Sequence, residues 1–160
     1  TQIVNNALLL LFALNIFCSC KPEPKSEMSL KTHVIRLKPG EDLKKSIQDF
    51  INVRKIKAAW MVTCAGSLTQ YKIRFANQSE ATTGSGHFEI VSLTGTLSEN
   101  GSHLHIAISD STGKTIGGHL MEGCIVYTTA EIIIQGSDRM IFTRKKDGTT
   151  DWEELQVEER

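Results

Sequence analysis

The chain has no excess of either charge. Its 18 Lys and Arg balance 18 Asp and Glu, a formal net charge of +0 at pH 7, so no general field draws it to nucleic acid or an acidic membrane. Aromatic residues are scarce at 6%, which argues against a row of base-stacking platforms. With 3 prolines and 12 glycines in 160 residues, nothing points to a disordered or fibrous chain. No apolar run reaches the ~20 residues of a membrane-spanning helix. Beyond residue 20 only Cys64 and Cys124 remain of the 4 cysteines. Both sit in apolar runs, and free cysteine is among the most buried residue types, so core packing is favoured over a disulfide. What is present is a length that suits one domain with a real core and is too short for two.

Three segments divide the chain. Residues 1–20 read as a signal peptide or lipoprotein leader, because the apolar stretch over residues 7–20 has the length of a signal-peptide hydrophobic region. Phe17-Cys18-Ser19-Cys20 loosely resembles a bacterial lipobox. The competing reading starts translation at Met28, which leaves a cytoplasmic protein; export or lipid anchoring is placed first on the length of the run. Residues 21–29 are polar and carry Pro22 and Pro24, a linker. Residues 30–157 hold every strand and helix signal.

Within that domain His33–Lys38 alternates as a strand that Pro39-Gly40 breaks. Glu41 and Asp42 start an amphipathic helix through about Asn52, with Leu43, Ile47, Phe50 and Ile51 on one stripe. Lys57–Ala65 is a buried strand stopped by Gly66, and Leu68–Phe75 a further one. Asn77–Gly86 reads as a surface loop. Phe88–Leu97, His103–Ser109, Lys114–Met121 and Ile125–Gln135 continue as strands, and Arg139–Arg144 and Glu154–Val157 are placed to close the sheet. Arg144-Lys145-Lys146 reads as the charged flank of a turn.

The chemistry concentrates in His103-Leu104-His105 and Gly117-Gly118-His119. Residues two apart on a strand share a face, so His103 and His105 converge while Leu104 points away. A three-residue loop, Ser111-Thr112-Gly113, with Gly at the left-handed position makes the segment between the motifs a hairpin. Asp110 then pairs with Lys114, and His105 stands directly opposite His119. Opposed residues have Cβ atoms ~5 Å apart with the diagonal neighbour in reach. Three imidazoles on one face suit one divalent ion, zinc first, with an open position. Copper or nickel would accept the same nitrogens, and the bland alternative is a set of hydrogen-bonded surface histidines. Gly117 and Gly118 suit close backbone approach or a bulge that aims His119.

The run Gly86-His87-Phe88-Glu89-Ile90-Val91-Ser92-Leu93-Thr94-Gly95-Thr96-Leu97 and the histidine motifs, with Asp110, Gly113 and Gly123, resemble the PPC domain (plants and prokaryotes conserved), also found in plant AT-hook nuclear proteins. Leu37-Lys38-Pro39-Gly40-Glu41-Asp42-Leu43, Gly66-Ser67-Leu68 and Arg74-Phe75-Ala76-Asn77-Gln78 are also similar. The resemblance implies an α/β (α+β) fold, a mostly antiparallel β-sheet with one or two helices, assembled as a homotrimer. It further implies that His103, His105 and His119 form the family's metal-binding unit. Plant members have Arg at the position of His87, so no role is carried over to that residue.

Three functional classes follow. The first is a trimeric metal-binding domain whose task the residues do not name. The second, a DNA-binding or regulatory protein, follows the family analogy. In plant members the DNA contact belongs to an Arg-Gly-Arg-Pro AT-hook that this chain lacks, and neutral charge removes the phosphate-neutralising term, which argues against direct DNA binding. The third is a zinc-dependent hydrolase or lyase acting on a small molecule, with Glu89, Glu122 and Glu131 as candidate general-base carboxylates, each read first as a solvated or strand-edge acid.

Overall fold

Apolar alternation and the edges left free by each pairing dictate the architecture. A computed structural model describes residues 29–160; the leader read over residues 1–20 and the linker up to residue 28 lie outside the described residues. The elements run β1 (Leu30–Leu37), α1 (Leu43–Val53), β2 (Ala59–Arg74), β3 (Thr82–Ser98), β4 (Gly101–Ser109), β5 (Thr115–Leu120), β6 (Ile125–Ser137), β7 (Met140–Lys145) and β8 (Glu154–Glu159). The first six strands form one sheet, ordered β1-β6-β2-β3-β4-β5, every pair antiparallel. β5 also pairs with the end of β2, Ile73 opposite Leu120 and Arg74 opposite His119. The ladder β2-β3-β4-β5 therefore curls until it meets its own first strand.

Among the described residues there is one helix. Asp42 caps it, its carboxylate accepting from the backbone N–H of Lys45 at 3.0 Å, which satisfies one of the donors a helix start leaves open. Leu43, Ile47 and Ile51 recur on one face and are fully buried, each side chain contributing ~1.5–3 kcal/mol relative to exposure. They join Leu68, Leu97, Ile106, Ile108, Ile132 and Ile134 in the core. Cys64 and Cys124 are buried free thiols of that core, as expected. The helix ends at Arg54, and Lys55 turns the chain with φ +52°.

Three expectations are corrected. Gly66 does not stop a strand: β2 runs straight through it as one element of 16 residues. A Cβ at Gly66 would stand 2.2 Å from the Thr129 carbonyl oxygen, so glycine here permits β6 to approach. Because β2 continues, it pairs with Thr82–Ser85, and the second half of the anticipated loop is the start of β3. Gly84 belongs there for packing, since a Cβ would sit 2.5 Å from the Tyr71 ring. Finally, β7 and β8 do not close the main sheet but form their own two-stranded ribbon. Both edges of β6 are taken, by β1 and β2, so the strand that follows it cannot pair with β6.

Candidate metal centre

The β4–β5 hairpin has the anticipated register. The Asp110 N–H donates to the Lys114 carbonyl at 3.0 Å, and Gly113 holds φ +81°. Asp110 fixes the loop by accepting from Thr112 and Lys114. His105 lies directly opposite His119, and Leu104, Ile106 and Ile108 point into the core. Gly117 and Gly118 serve close approach rather than a bulge, because the β4–β5 register is continuous. Cβ atoms there would stand 2.8 Å from the Ile106 carbonyl and 2.6 Å from the Arg74 carbonyl.

The three ring nitrogens meet at one point. His103 Nε2 is 3.1 Å from His105 Nε2 and 3.2 Å from His119 Nδ1, and the remaining side is 3.1 Å. Each neutral imidazole nitrogen presents either a proton or a lone pair, and a hydrogen bond needs one of each. Around a triangle, at most two sides can satisfy that condition. A cation satisfies three lone pairs together. A cation ~2.0–2.1 Å from each nitrogen would subtend angles of roughly 100° on this triangle, with the outer side open. Among the described residues this is the one such cluster of potential ligands that can hold a metal ion.

The surroundings favour the neutral form of His103 and His119. Burial lowers the pKa of His103, with His105 and Arg144 adding to the shift. Burial likewise lowers that of His119, reinforced by Arg74 and His105. Neutral imidazole is the form that ligates. A cleft of about 710 Å³ opens beside His103 and His119, walled by Arg74, Arg144, Trp152 and Glu154. A smaller hollow of about 260 Å³ lies on the Thr94–Thr96 side and shares His103, Arg144 and Glu154.

The chain matches the model of the Plants and Prokaryotes Conserved (PCC) domain over residues 24–138. It belongs to that family. It is 40% identical over 138 residues to the bifunctional protein GlmU of Synechococcus sp. strain JA-3-3Ab, covering 86% of this chain and 22% of that one. It is also 31% identical over 116 residues to the AT-hook motif nuclear-localized protein 13 of Arabidopsis thaliana, covering 66% of this chain and 26% of the relative. The chain thus spans about a quarter or less of these curated relatives. Among solved structures, a hypothetical protein from Salmonella enterica superposes with TM-score 0.81 at 37% identity, covering 83% of this chain and 96% of the other. A metal-containing protein from Archaeoglobus fulgidus superposes with TM-score 0.68 at 24% identity, covering 81% and 96%. The PCC fold, a mostly antiparallel sheet with one helix, is thereby shown.

Other candidates fall elsewhere. Glu89, Glu122 and Glu131 are exposed, and none lines either hollow beside the histidines. The carboxylates that do are Glu153, which lines the larger cleft, and Glu154 on β8, which lines both. Arg144 is not the flank of a turn: it lies in β7 and donates to Thr96 Oγ1 at 2.7 Å. His87 packs against Tyr127, ring centroids 4.3 Å apart. Arg74, Arg144 and Glu154 are the residues sequence reading missed. Alternation along β7 and β8 does not single them out, since Arg144 pairs with Leu155 and Glu154 with Lys145; the curl of β5 onto β2 and the docking of the ribbon bring them beside the histidines.

Proposed function

We propose that this PCC-domain chain is a metal-binding protein in which His103, His105 and His119 hold one divalent ion, zinc, with an open coordination position. The observation that carries the reading is the nitrogen triangle, whose three sides cannot all be hydrogen bonds. The Archaeoglobus neighbour, described as metal-containing, supports it. Zinc bound there would supply Lewis acidity at its open face. The chain's own residues orient the ligands: Leu104 anchors β4 from below, and burial with the neighbouring guanidiniums favours the unprotonated form of His103 and His119.

Metal analysis of the purified protein tests this. One zinc per chain is expected, lost in His119→Ala; unchanged metal in that variant defeats the assignment in favour of hydrogen-bonded surface histidines. The reading also includes a homotrimer, supported by the PCC family resemblance and by exposed apolar strand residues such as Val34, Val62 and Val91. A monomer mass by light scattering at micromolar concentration overturns it. Residues 30–157 make one self-sufficient domain, so protein beginning at Met28 should melt cooperatively.

A second reading, a zinc-dependent hydrolase or lyase on a small molecule, is favoured by the cleft that places Glu154 beside His103. Turnover across a broad panel of small esters, amides and hydroxy acids separates it from pure binding. A DNA-binding or regulatory role rests on the descriptions of the AT-hook relative and of two structural neighbours at 20% and 18% identity, and the balanced charge gives it no electrostatic support.

A further inference from the structure

We infer that the cleft beside the three histidines binds a small organic oxyanion, a carboxylate or phosphate group. One oxygen would sit at the open face of the histidine-bound cation, and the others on the guanidiniums of Arg74 and Arg144. The inference rests on the metal reading above and adds the ligand's chemistry.

The sheet sets the arrangement. Arg74 on β2 is the cross-strand partner of His119, His119 of His105, and His105 of Thr94. Cross-strand partners share a face, so one row carries a guanidinium and then two imidazoles. The next row pairs His103 with Thr96, and Thr96 receives Arg144 from the β7–β8 ribbon. The two guanidiniums therefore flank the nitrogen triangle from opposite sides.

Both are held in place by neutral partners. Arg74 donates to the Gln78 carbonyl at 3.1 Å and lies over the Trp152 ring, 5.3 Å from its centroid. Arg144 donates to the Thr96 hydroxyl. Among the described residues neither forms an ion pair with a carboxylate, the recorded pair being Lys45 with Asp49. Glu154 attracts Arg144 from nearby without contacting it at ion-pair distance. A guanidinium has five N–H donors in a fork that matches two oxygens of one anion, and most of those donors remain available here.

Charge balance points the same way. Lys44, Arg74 and Arg144 line the cleft against only Glu153 and Glu154. A dication on the histidines adds to this positive excess, which an anion bridging cation and guanidiniums relieves. Trp152 and Met121 give the cleft an apolar wall, which suits an anion carrying an organic body. Arg144 and Trp152 lie beyond the residues that match the family model, so this wall is supplied by the chain's own C-terminal ribbon.

The test uses the full chain loaded with cobalt(II), whose visible spectrum reports a new ligand. It is titrated with inorganic phosphate, phenyl phosphate and acetate at constant ionic strength in chloride. A saturable spectral change is expected, strongest with phenyl phosphate if the body is a phosphate ester and with acetate if it is a carboxylate. Arg74→Gln and Arg144→Gln should keep one cobalt per chain and weaken the anion roughly tenfold or more each. Arg74→Lys and Arg144→Lys should retain part of the affinity, and they stand in should a Gln variant fail to fold. Stoichiometric cobalt with no saturable response, or wild-type affinity in both Arg variants, overturns this inference while the metal reading stands. Absence of stoichiometric metal overturns both.

Discussion

Gly95→Ala should disable the histidine cluster without touching a histidine. Gly95 lies on β3 opposite Leu104, between the partners of His103 and His105. Its φ is +138°, and a Cβ added there would stand 1.9 Å from the His103 carbonyl oxygen and 2.9 Å from the Leu104 Cα. Both neighbours are backbone, so no side chain can swing away. Restoring ordinary contact needs β3 and β4 to separate by about 1.5 Å, while a metal site tolerates ~0.2 Å in its bond lengths. The positive φ adds ~1–2 kcal/mol for an L side chain, and the overpacking ~1–3 kcal/mol. A loss of about 2 to 5 kcal/mol should lower the melting temperature by roughly 10 °C or more. Circular dichroism melts and metal content measured at 15 °C, where the variant is still folded, read the two effects separately. A variant with the wild-type melt would refute the clash. A lowered melt with full metal would show that the strand shift does not reach the imidazoles.

Leu104→Ala removes a side chain that is 2% exposed and should cost ~2–5 kcal/mol in a denaturant titration, with metal content retained because the imidazoles face the other way. Burial pushes the Cys64 and Cys124 thiols up to about 12 and about 11, so neither should react with iodoacetamide at pH 8 until guanidinium unfolds the chain; fast labelling of either one in buffer, read by peptide mapping, would contradict the packing described. Hydrogen bonds from Thr112 and Lys114 lower the Asp110 pKa. The stabilisation is therefore present above the ordinary Asp value of ~3.9 and fades as pH falls below it through the lowered folded value. Melts from pH 6 to 2.5 should show Asp110→Asn losing this part of the acid dependence, and superimposable wild-type and variant curves would remove the loop's role.

Local chemistry made half of the site legible in advance. The three-residue loop closing on Gly113, the period-two spacing of His103 and His105, and the apolar residues between them determine the hairpin register, because turn length and side-chain alternation act over a few residues. The stripe of Leu43, Ile47 and Ile51 determines the helix for the same reason. Gly66 misled because glycine both ends strands and lets strands touch, and only the position of Thr129 across the sheet tells which. The run Thr82–Ser85 misled because small polar residues form a strand once a long partner is offered.

What tertiary structure alone decided is the company the histidines keep. Arg74 faces His119 only because the sheet curls far enough for β5 to meet the end of β2, a pairing between residues more than forty apart in sequence. Arg144 and Glu154 reach the cleft because β6 has no free edge, which sends β7 and β8 off as a ribbon that docks over β3. The amino-acid sequence by itself determined the positions of the three histidines and the face they share. Which charges surround them depended on long-range edge pairing, and no local periodicity encodes that.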